Sequence, residues 1–358
     1  MRLLAASISP TLLQRWFVLA TLGVLCWFSF AGCPQAPGQD ETGQQESYGE
    51  TLSEAVPQES GAETSTPKES SQEKGAVTVD ASEAQPESNE PEGNEQESTQ
   101  ETTPEAPVTR CTESAATLVC KHNTAVLDVG LLARTVYWQT PIGTPPKNGW
   151  PVVIMFQGSL YSSKFSWTGI RGGAFGIYNQ TSTIKKLLDA GYAVLTPVVK
   201  GAGTTFWDTN IPPYNFSWTL SPDHAFMVKI FEDIEQGVFG PLNAKKMYAF
   251  GISSGGYMTS RMAVAYPGKF RALAIHSGSY ATCAGSVCVV PSLPKDHPPT
   301  LFLHGTLDLV VPVITMYPYR DKLKKQNTPQ RVVENATAAH EWISAAPQEI
   351  LDWFQKHP

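Results

Sequence analysis

The sequence predicts an α/β fold for residues 110–358, in which a mainly parallel sheet carries helices on both faces. Short apolar runs rich in β-branched residues alternate with amphipathic segments, which is the pattern of parallel strands joined by helices. The run PVVIMF, at residues 151–156, is apolar throughout, as expected of a central strand buried on both faces. The 249 residues of this stretch suit one domain.

Each element is predicted from its own pattern. Strands are predicted at 134–140, 151–156, 192–199, 245–251, 270–278 and 299–305. Helices are predicted at 181–191, 223–237, 255–267 and 346–357, where apolar residues recur every three or four positions. Residues 200–222 are predicted to form a long irregular loop that contains five aromatic residues. Loops of this length in compact domains are often functional.

Residues 1–33 have the order of a secretory signal. Arg2 and Arg15 precede an apolar stretch at residues 16–30. This stretch is short for a bilayer-spanning helix. Small residues then lead to Cys33. Small residues before a cysteine resemble the lipobox of bacterial lipoproteins, with Phe30 at the position usually held by leucine. This resemblance implies that Cys33 becomes a lipidated N-terminus that anchors the chain to a membrane. An ordinary cleaved signal and a membrane anchor are the alternatives, and all three export the rest of the chain.

Residues 34–109 are predicted to be a disordered acidic tether. They contain 18 acidic residues, two lysines and one aromatic residue, Tyr48, which is too little apolar surface to offset chain entropy. Mutual repulsion of the like charges extends such a segment. An acidic interaction tail is the competing interpretation, and the two are compatible.

The charge of the predicted domain differs from that of the whole chain. The chain carries −7, of which the tether contributes −16 and residues 1–33 contribute +2, so residues 110–358 carry +7. These basic residues form no cluster with interleaved aromatics, and nucleic-acid binding is therefore not expected.

Four cysteines belong to the predicted domain, and in an exported protein they predict two disulfides. Three pairings are possible. We favour Cys111 with Cys120 and Cys283 with Cys288, because both pairs close short local loops. No Cys and His spacing is typical of a zinc site, so we expect neither a metal nor another cofactor.

The stretch GISSG, at residues 251–255, matches the G-x-S-x-G nucleophile elbow of the α/β-hydrolase fold. It lies between a predicted strand and a predicted helix, which is the context that the motif requires. The tight turn lifts the central residue, Ser253, out of the sheet edge. Glycines flank it because strand and helix approach too closely for a Cβ. The amide of Ser254 lies at the helix N-terminus, where unpaired donors favour negative charge.

A serine hydroxyl needs an adjacent base, and in this fold the partners follow in the order serine, acid, histidine. Asp308 comes shortly after a predicted strand and is placed to orient an imidazolium. His340 lies in a loop before the last predicted helix, where the fold presents its histidine. His276 and His304 lie at strand ends and are expected to make structural hydrogen bonds.

An oxyanion site needs two donors aimed at the developing negative charge. The amide of Ser254 is the first. The second is expected from the loop after strand 151–156, where Gly158 lets the backbone turn closely and the amide of Ser159 is the candidate. The side chain of Gln157 is an alternative donor that would contact substrate.

Three stretches resemble the extracellular polyhydroxyalkanoate depolymerases, particularly those that act on medium-chain-length polyesters. They are AFGISSGGYMTSRMA, FLHGTLDLVVPV and AAHEWISAAPQEILDWF, and the similarity extends over residues 134–358. The separations of 55 and 32 residues between Ser253, Asp308 and His340 are also similar. The resemblance implies an α/β-hydrolase fold and a serine esterase, with these residues as nucleophile, orienting acid and general base.

The substrate that the resemblance implies is a hydrophobic polyester. In the long loop, Phe206, Trp207 and Trp218 are expected to present an apolar rim to it. The alternative is that these aromatic residues pack inside the domain. A small-ester carboxylesterase, a feruloyl-type esterase and a serine peptidase of the same fold remain the alternative functions.

Overall fold

The computed structural model describes residues 109–130, 132–200, 206–283 and 288–358. The predicted signal with Cys33, and the predicted tether up to residue 108, lie outside the described residues. None of the helices in the described ranges combines the length and the hydropathy that a bilayer crossing needs.

Eleven strands and five α-helices make up the described part of the chain. The strands are β1 (Cys111–Glu113), β2 (Thr117–Cys120), β3 (Asn123–Val129), β4 (Leu132–Gln139), β5 (Trp150–Phe156), β6 (Thr168–Ile170), β7 (Ala193–Pro197), β8 (Leu242–Ile252), β9 (Phe270–His276), β10 (Thr300–Gly305) and β11 (Gln330–Asn335). The helices are α1 (Ile177–Asp189), α2 (Pro222–Glu235), α3 (Ser254–Ala265), α4 (Tyr317–Lys325) and α5 (Ala346–Lys356).

Eight strands form the central sheet, in the order β11-β10-β9-β8-β5-β7-β4-β3. The six strands from β11 to β7 are parallel, and β4 and β3 add antiparallel pairs at one side. In a parallel sheet all strands end at the same edge. The loops that follow β5, β8, β10 and β11 therefore share one edge of the sheet.

The central strand β5 is buried on both faces, as its apolar run predicts. Its side chains alternate between two cores. Val153 and Met155 pack with α1 and α5, whereas Ile154 and Phe156 pack with α2 and α3. Helices therefore cover both faces of the sheet, and the predicted α/β architecture is present.

Both predicted disulfides are present. Cys111 and Cys120 lie opposite each other in the β1–β2 pair of a small three-stranded sheet, β1-β2-β6. Cys283 pairs with Cys288 across a short segment. The two disulfides therefore close local loops rather than connect distant parts of the domain.

The sequence patterns predict the buried elements and miss several exposed ones. The elements without a predicted counterpart are β1, β2, β3, β6, β11 and α4. β11 lies at the end of the sheet and contains no fully buried residue, and α4 is largely polar. Elements that bury little apolar surface lack the periodicity from which strands and helices are predicted.

Candidate active site

Ser253 lies in the tight turn between β8 and α3, with φ 56° and ψ −125°. Positive φ is uncommon for a residue with a Cβ and costs about 1–3 kcal/mol. The flanking glycines explain how the turn closes. A Cβ on Gly251 would lie 2.5 Å from the carbonyl oxygen of Gly255, and a Cβ on Gly255 would lie 2.1 Å from that of Phe156. Only glycine fits at either position.

The loop that follows β5 passes beside this serine. A Cβ on Gly158 would lie 3.6 Å from the Cβ of Ser253 and 3.3 Å from the side chain of Ile252. The backbone at Gly158 therefore lies close to Ser253, and a side chain at position 158 would be in tight contact with Ile252. Ser159 follows directly and is partly exposed.

Asp308 and His340 are in direct contact. The Nδ1 atom of His340 lies 2.8 Å from the Oδ2 atom of Asp308. Asp308 is in the loop after β10, and His340 is in the loop after β11, the neighbouring parallel strand. The two loops pack closely, because the amide of Leu307 donates to the carbonyl of Ala338 and a Cβ on Gly305 would lie 2.3 Å from the same oxygen.

Hydrogen bonds keep Asp308 ionised although it is buried. Its other carboxylate oxygen, Oδ1, accepts from the amides of Val310 at 2.9 Å and Val311 at 2.8 Å. Burial acts to raise the pKa of Asp308, but hydrogen bonds from His304 and His340, the charge of His340 and the Val311 amide outweigh it. The pKa of this carboxyl is therefore held well below its usual value, which suits a residue that orients an imidazolium.

Two further histidines support the site, and both make the structural hydrogen bonds that were expected of them. The Nε2 atom of His304 donates to the carbonyl of Val311 at 2.7 Å and lies 3.5 Å from Oδ2 of Asp308. His276 is fully buried, and burial together with the charges of His304 and His340 holds its pKa well below the usual value. His276 therefore stays neutral.

His276 connects the nucleophile turn to the histidine loop. Its carbonyl accepts from the amide of Ser253 at 3.0 Å, and its ring nitrogen Nε2 accepts from the amide of Ile343 at 3.0 Å. Ile343 lies three residues after His340. One residue thus contacts the segments that carry the predicted nucleophile and the predicted base, at the edge where β8, β10 and β11 end.

The two predicted oxyanion donors belong to different segments, the start of α3 and the loop after β5. Ser254 opens α3, so its amide is one of the four that have no acceptor within the helix. Gln157 is only 1% exposed, and its side-chain oxygen accepts from the hydroxyl of Ser163. The expectation that this side chain contacts substrate is therefore wrong, because it is directed into the interior of the loop. The amide of Ser159 remains the candidate for the second donor.

The aromatic rim predicted in the long loop is wrong for both tryptophans. Trp207 is 0% exposed, its ring packs against Phe156, and its indole nitrogen donates to the carbonyl of Gln157 at 3.1 Å. Trp218 is 7% exposed and donates to the hydroxyl of Tyr266 at 3.1 Å. These rings hold the loop against the domain. Phe206 remains 41% exposed.

The structural role of the long loop extends to the nucleophile turn. The amide of Trp207 donates to Oγ of Ser254 at 2.9 Å. Arg261, in α3, donates to the carbonyl of Thr209 at 2.6 Å and lies over the ring of Trp218. The described part of the loop is therefore bound to α3, which begins directly after Ser253, and sequence patterns alone do not reveal this.

The described residues contain no group of three His, Cys, Asp or Glu side chains arranged to hold a metal ion.

Comparison with known proteins identifies similar ester hydrolases. The chain is 48% identical over 258 residues to a poly(3-hydroxyoctanoate) depolymerase from Pseudomonas fluorescens, and the match covers 70% of this chain and 91% of that protein. Residues 224–358 match the phospholipase/carboxylesterase family.

Solved structures show more distant similarity. An α/β hydrolase, MGS-M1, from a Medee basin deep-sea metagenome library is 14% identical with a TM-score of 0.46, over 66% of this chain and 97% of that one. An acylaminoacyl peptidase from Pyrococcus horikoshii is 14% identical with a TM-score of 0.48, over 66% of this chain and 41% of that one.

Proposed function

Because the chain belongs to the medium-chain-length polyhydroxyalkanoate depolymerase family of α/β hydrolases, and is a serine ester hydrolase, we propose that it cleaves hydrophobic polyesters through Ser253, Asp308 and His340. One observation carries the proposal. The carboxylate of Asp308 lies 2.8 Å from the ring of His340, at the edge of the sheet where Ser253 sits in its strained turn.

The reaction proceeds in two halves. Oγ of Ser253 attacks the ester carbonyl carbon while Nε2 of His340 takes the hydroxyl proton, and Asp308 stabilises the imidazolium through Nδ1. The amides of Ser254 and Ser159 bind the oxyanion. The imidazolium then protonates the leaving alcohol, and an acyl-serine remains. Water attacks this ester with His340 again taking the proton, which releases the acid and restores Ser253.

Three substitutions test the triad. S253A, H340Q and D308N are each expected to lower kcat for p-nitrophenyl octanoate by about 10⁴-fold or more, since removal of one triad member disables the proton transfer. D321N is the matched control, because the side chain of Asp321 is 60% exposed, and it should retain wild-type kcat. The triad assignment fails if H340Q or D308N keeps more than a tenth of wild-type kcat with an unchanged circular dichroism spectrum.

The polymer is the second part of the proposal, and it is supported by the named depolymerase to which the chain is similar. A small-ester carboxylesterase is the second candidate, favoured by the match of residues 224–358 to the phospholipase/carboxylesterase family. Clearing of a polyhydroxyoctanoate emulsion separates the two. A chain that hydrolyses p-nitrophenyl octanoate but releases no hydroxy acid from the emulsion is a small-ester enzyme.

The site of action follows from residues 1–109. Lipidation of Cys33 would leave the acidic segment 34–109 between the lipid and the hydrolase domain, so that an exported enzyme acts at the end of a tether attached to a membrane. The two disulfides are compatible with export. Mass spectrometry of the chain purified from a bacterial host tests the anchor. A mature N-terminus other than a diacylglyceryl-modified Cys33 would exclude it.

A further inference from the structure

Four apolar side chains are exposed in the loop between β10 and α4, which carries Asp308. The exposed fractions of Leu307, Leu309, Val310 and Ile314 are 56%, 88%, 50% and 65%. We call these four residues the acid-loop face. Exposed apolar residues are ordinary when scattered singly, but four of them within eight residues make this loop a candidate binding surface.

The segment that carries the acid-loop face contains almost no charge. From Thr306 to Tyr319 the sequence contains one charged residue, Asp308, and this residue is only 3% exposed. An uncharged face fits an uncharged partner, since a charged partner would lose its water there without gaining a counter-ion. Polyester chains carry alkyl groups and neutral ester carbonyls, and therefore have this chemistry.

Hydrogen bonds hold the backbone of this loop in place around Asp308. Oδ1 of Asp308 accepts from the amides of Val310 and Val311, and His304 donates to the carbonyl of Val311. The amide of Leu307 is bound to the loop of His340 through Ala338. A surface that is already ordered loses less conformational entropy on binding than a mobile loop does.

The position of the face decides among possible partners. Leu307 and Leu309 directly precede and follow Asp308, whose Oδ2 atom contacts the ring of His340, so a partner bound to them lies next to the proposed site. A polyester must pass this edge to reach Ser253. We propose that the acid-loop face adsorbs the enzyme to the surface of a hydrophobic polyester particle. The proposal rests on the function proposed above and gives these side chains the role that the sequence led us to expect of Trp207 and Trp218.

The test compares a double variant with a matched control in the full chain. L309S/I314S removes the two most exposed members of the face. V126S removes a side chain on β3 that is 64% exposed, close to the 65% of Ile314. β3 is six strands away from β10 in the sheet, a distance of about 29 Å. Adsorption is measured as depletion of protein from solution by polyhydroxyoctanoate particles, with each change also made on the S253A background so that hydrolysis cannot alter the particles.

We expect L309S/I314S to weaken adsorption at least about tenfold, which corresponds to about 1.4 kcal/mol, and V126S to adsorb as the wild type does. The ratio of polymer hydrolysis to p-nitrophenyl octanoate hydrolysis should fall by a similar factor only in L309S/I314S. Equal adsorption of the two variants, in chains that remain folded by circular dichroism, overturns the proposal. Conversion of a wild-type dimer to a monomer by L309S/I314S in sedimentation overturns it too, because the face would then join two copies of the chain.

Failure of the proposed function gives a different result. If the wild type releases no hydroxy acid from the polymer, the polyester assignment fails, whereas the face is still supported when adsorption depends on Leu309 and Ile314. If the wild type clears the polymer and both variants adsorb equally, the function stands and the face is wrong.

Discussion

Replacement of Gly255 by alanine should displace the nucleophile turn, because the space for a methyl group is occupied by backbone atoms. A Cβ at this position would lie 2.1 Å from the carbonyl oxygen of Phe156 and 2.5 Å from that of Gln157. Real Cβ contacts are essentially never shorter than 3.0 Å. The 2.1 Å contact must therefore lengthen by at least 0.9 Å, which requires β5 and the start of α3 to move apart.

Both of the segments that must separate carry the site. Phe156 leads into the loop with Ser159, the candidate for the second oxyanion donor, and Gly255 lies two residues after Ser253. A displacement of about 1 Å between reacting groups costs about 100-fold in rate. Insertion of a methyl group into closely packed backbone costs about 1–3 kcal/mol of stability. We therefore expect G255A to lower kcat/KM for p-nitrophenyl octanoate about 100-fold and to unfold at lower urea concentration.

The control separates loss of stability from loss of geometry. A Cβ on Gly268 meets no atom within 4 Å, and only the positive φ of 73° opposes alanine there. G268A should therefore lose about 1–2 kcal/mol in urea unfolding and retain wild-type kcat/KM. A kcat/KM of G255A within threefold of the wild type would refute the reasoning, because the site would then tolerate a shift that the packing requires.

Two further predictions follow from buried side chains. W207A should destabilise the domain by about 3–5 kcal/mol, because the ring is fully buried. It should lower hydrolysis of a soluble ester and of the polymer by the same factor. A loss confined to the polymer would instead indicate that Trp207 contacts the substrate. Burial lowers the pKa of His297 to about 4, so between pH 6.5 and 4 the unfolded chain binds a proton that the folded chain does not. Acidification should therefore destabilise the wild type by up to about 1.4 kcal/mol per pH unit from this residue, and H297Q should flatten the slope in urea titrations; an unchanged slope would contradict the assignment.

The sequence predicts the local geometry of the candidate site well where that geometry depends on a few adjacent residues. The glycines around Ser253 are required because a Cβ at either position would contact backbone atoms at too short a distance. The residue types of the motif therefore determine the tight turn that the motif predicts. Asp308 and His340 were found from their positions after strands and before the last helix. Parallel topology then brings these loops to one edge, and the 2.8 Å contact between the two side chains follows.

The sequence did not predict which apolar side chains face solvent. The rings of Trp207 and Trp218 fill the space between the long loop and α3, whereas Leu309 in a shorter loop is 88% exposed. Hydrophobicity gives the tendency to be buried but not the direction of a side chain in an irregular segment, because no periodicity fixes it. For this reason two of the three aromatic residues expected at the rim are buried, whereas aliphatic residues in the loop after β10 are exposed.

The two oxygens of Asp308 have different partners, which on the proposals above separates catalysis from adsorption. Oδ1 shapes the acid loop through two backbone amides, and Oδ2 contacts His340. In D308N the side-chain oxygen can still accept from the amides of Val310 and Val311, while the amide nitrogen faces Nδ1 of His340 as a donor. This forces the proton of the ring onto Nε2, which then cannot take the proton of Ser253.

D308N should therefore lose hydrolysis and still adsorb to polyhydroxyoctanoate particles as the wild type does. The comparison with S253A, which leaves the loop untouched, provides the reference for adsorption without turnover. If D308N adsorbs as weakly as L309S/I314S, the negative charge of Asp308 rather than its hydrogen-bond geometry holds the acid-loop face. In that case catalysis and adsorption depend on one ionisation, and acidification would weaken both together.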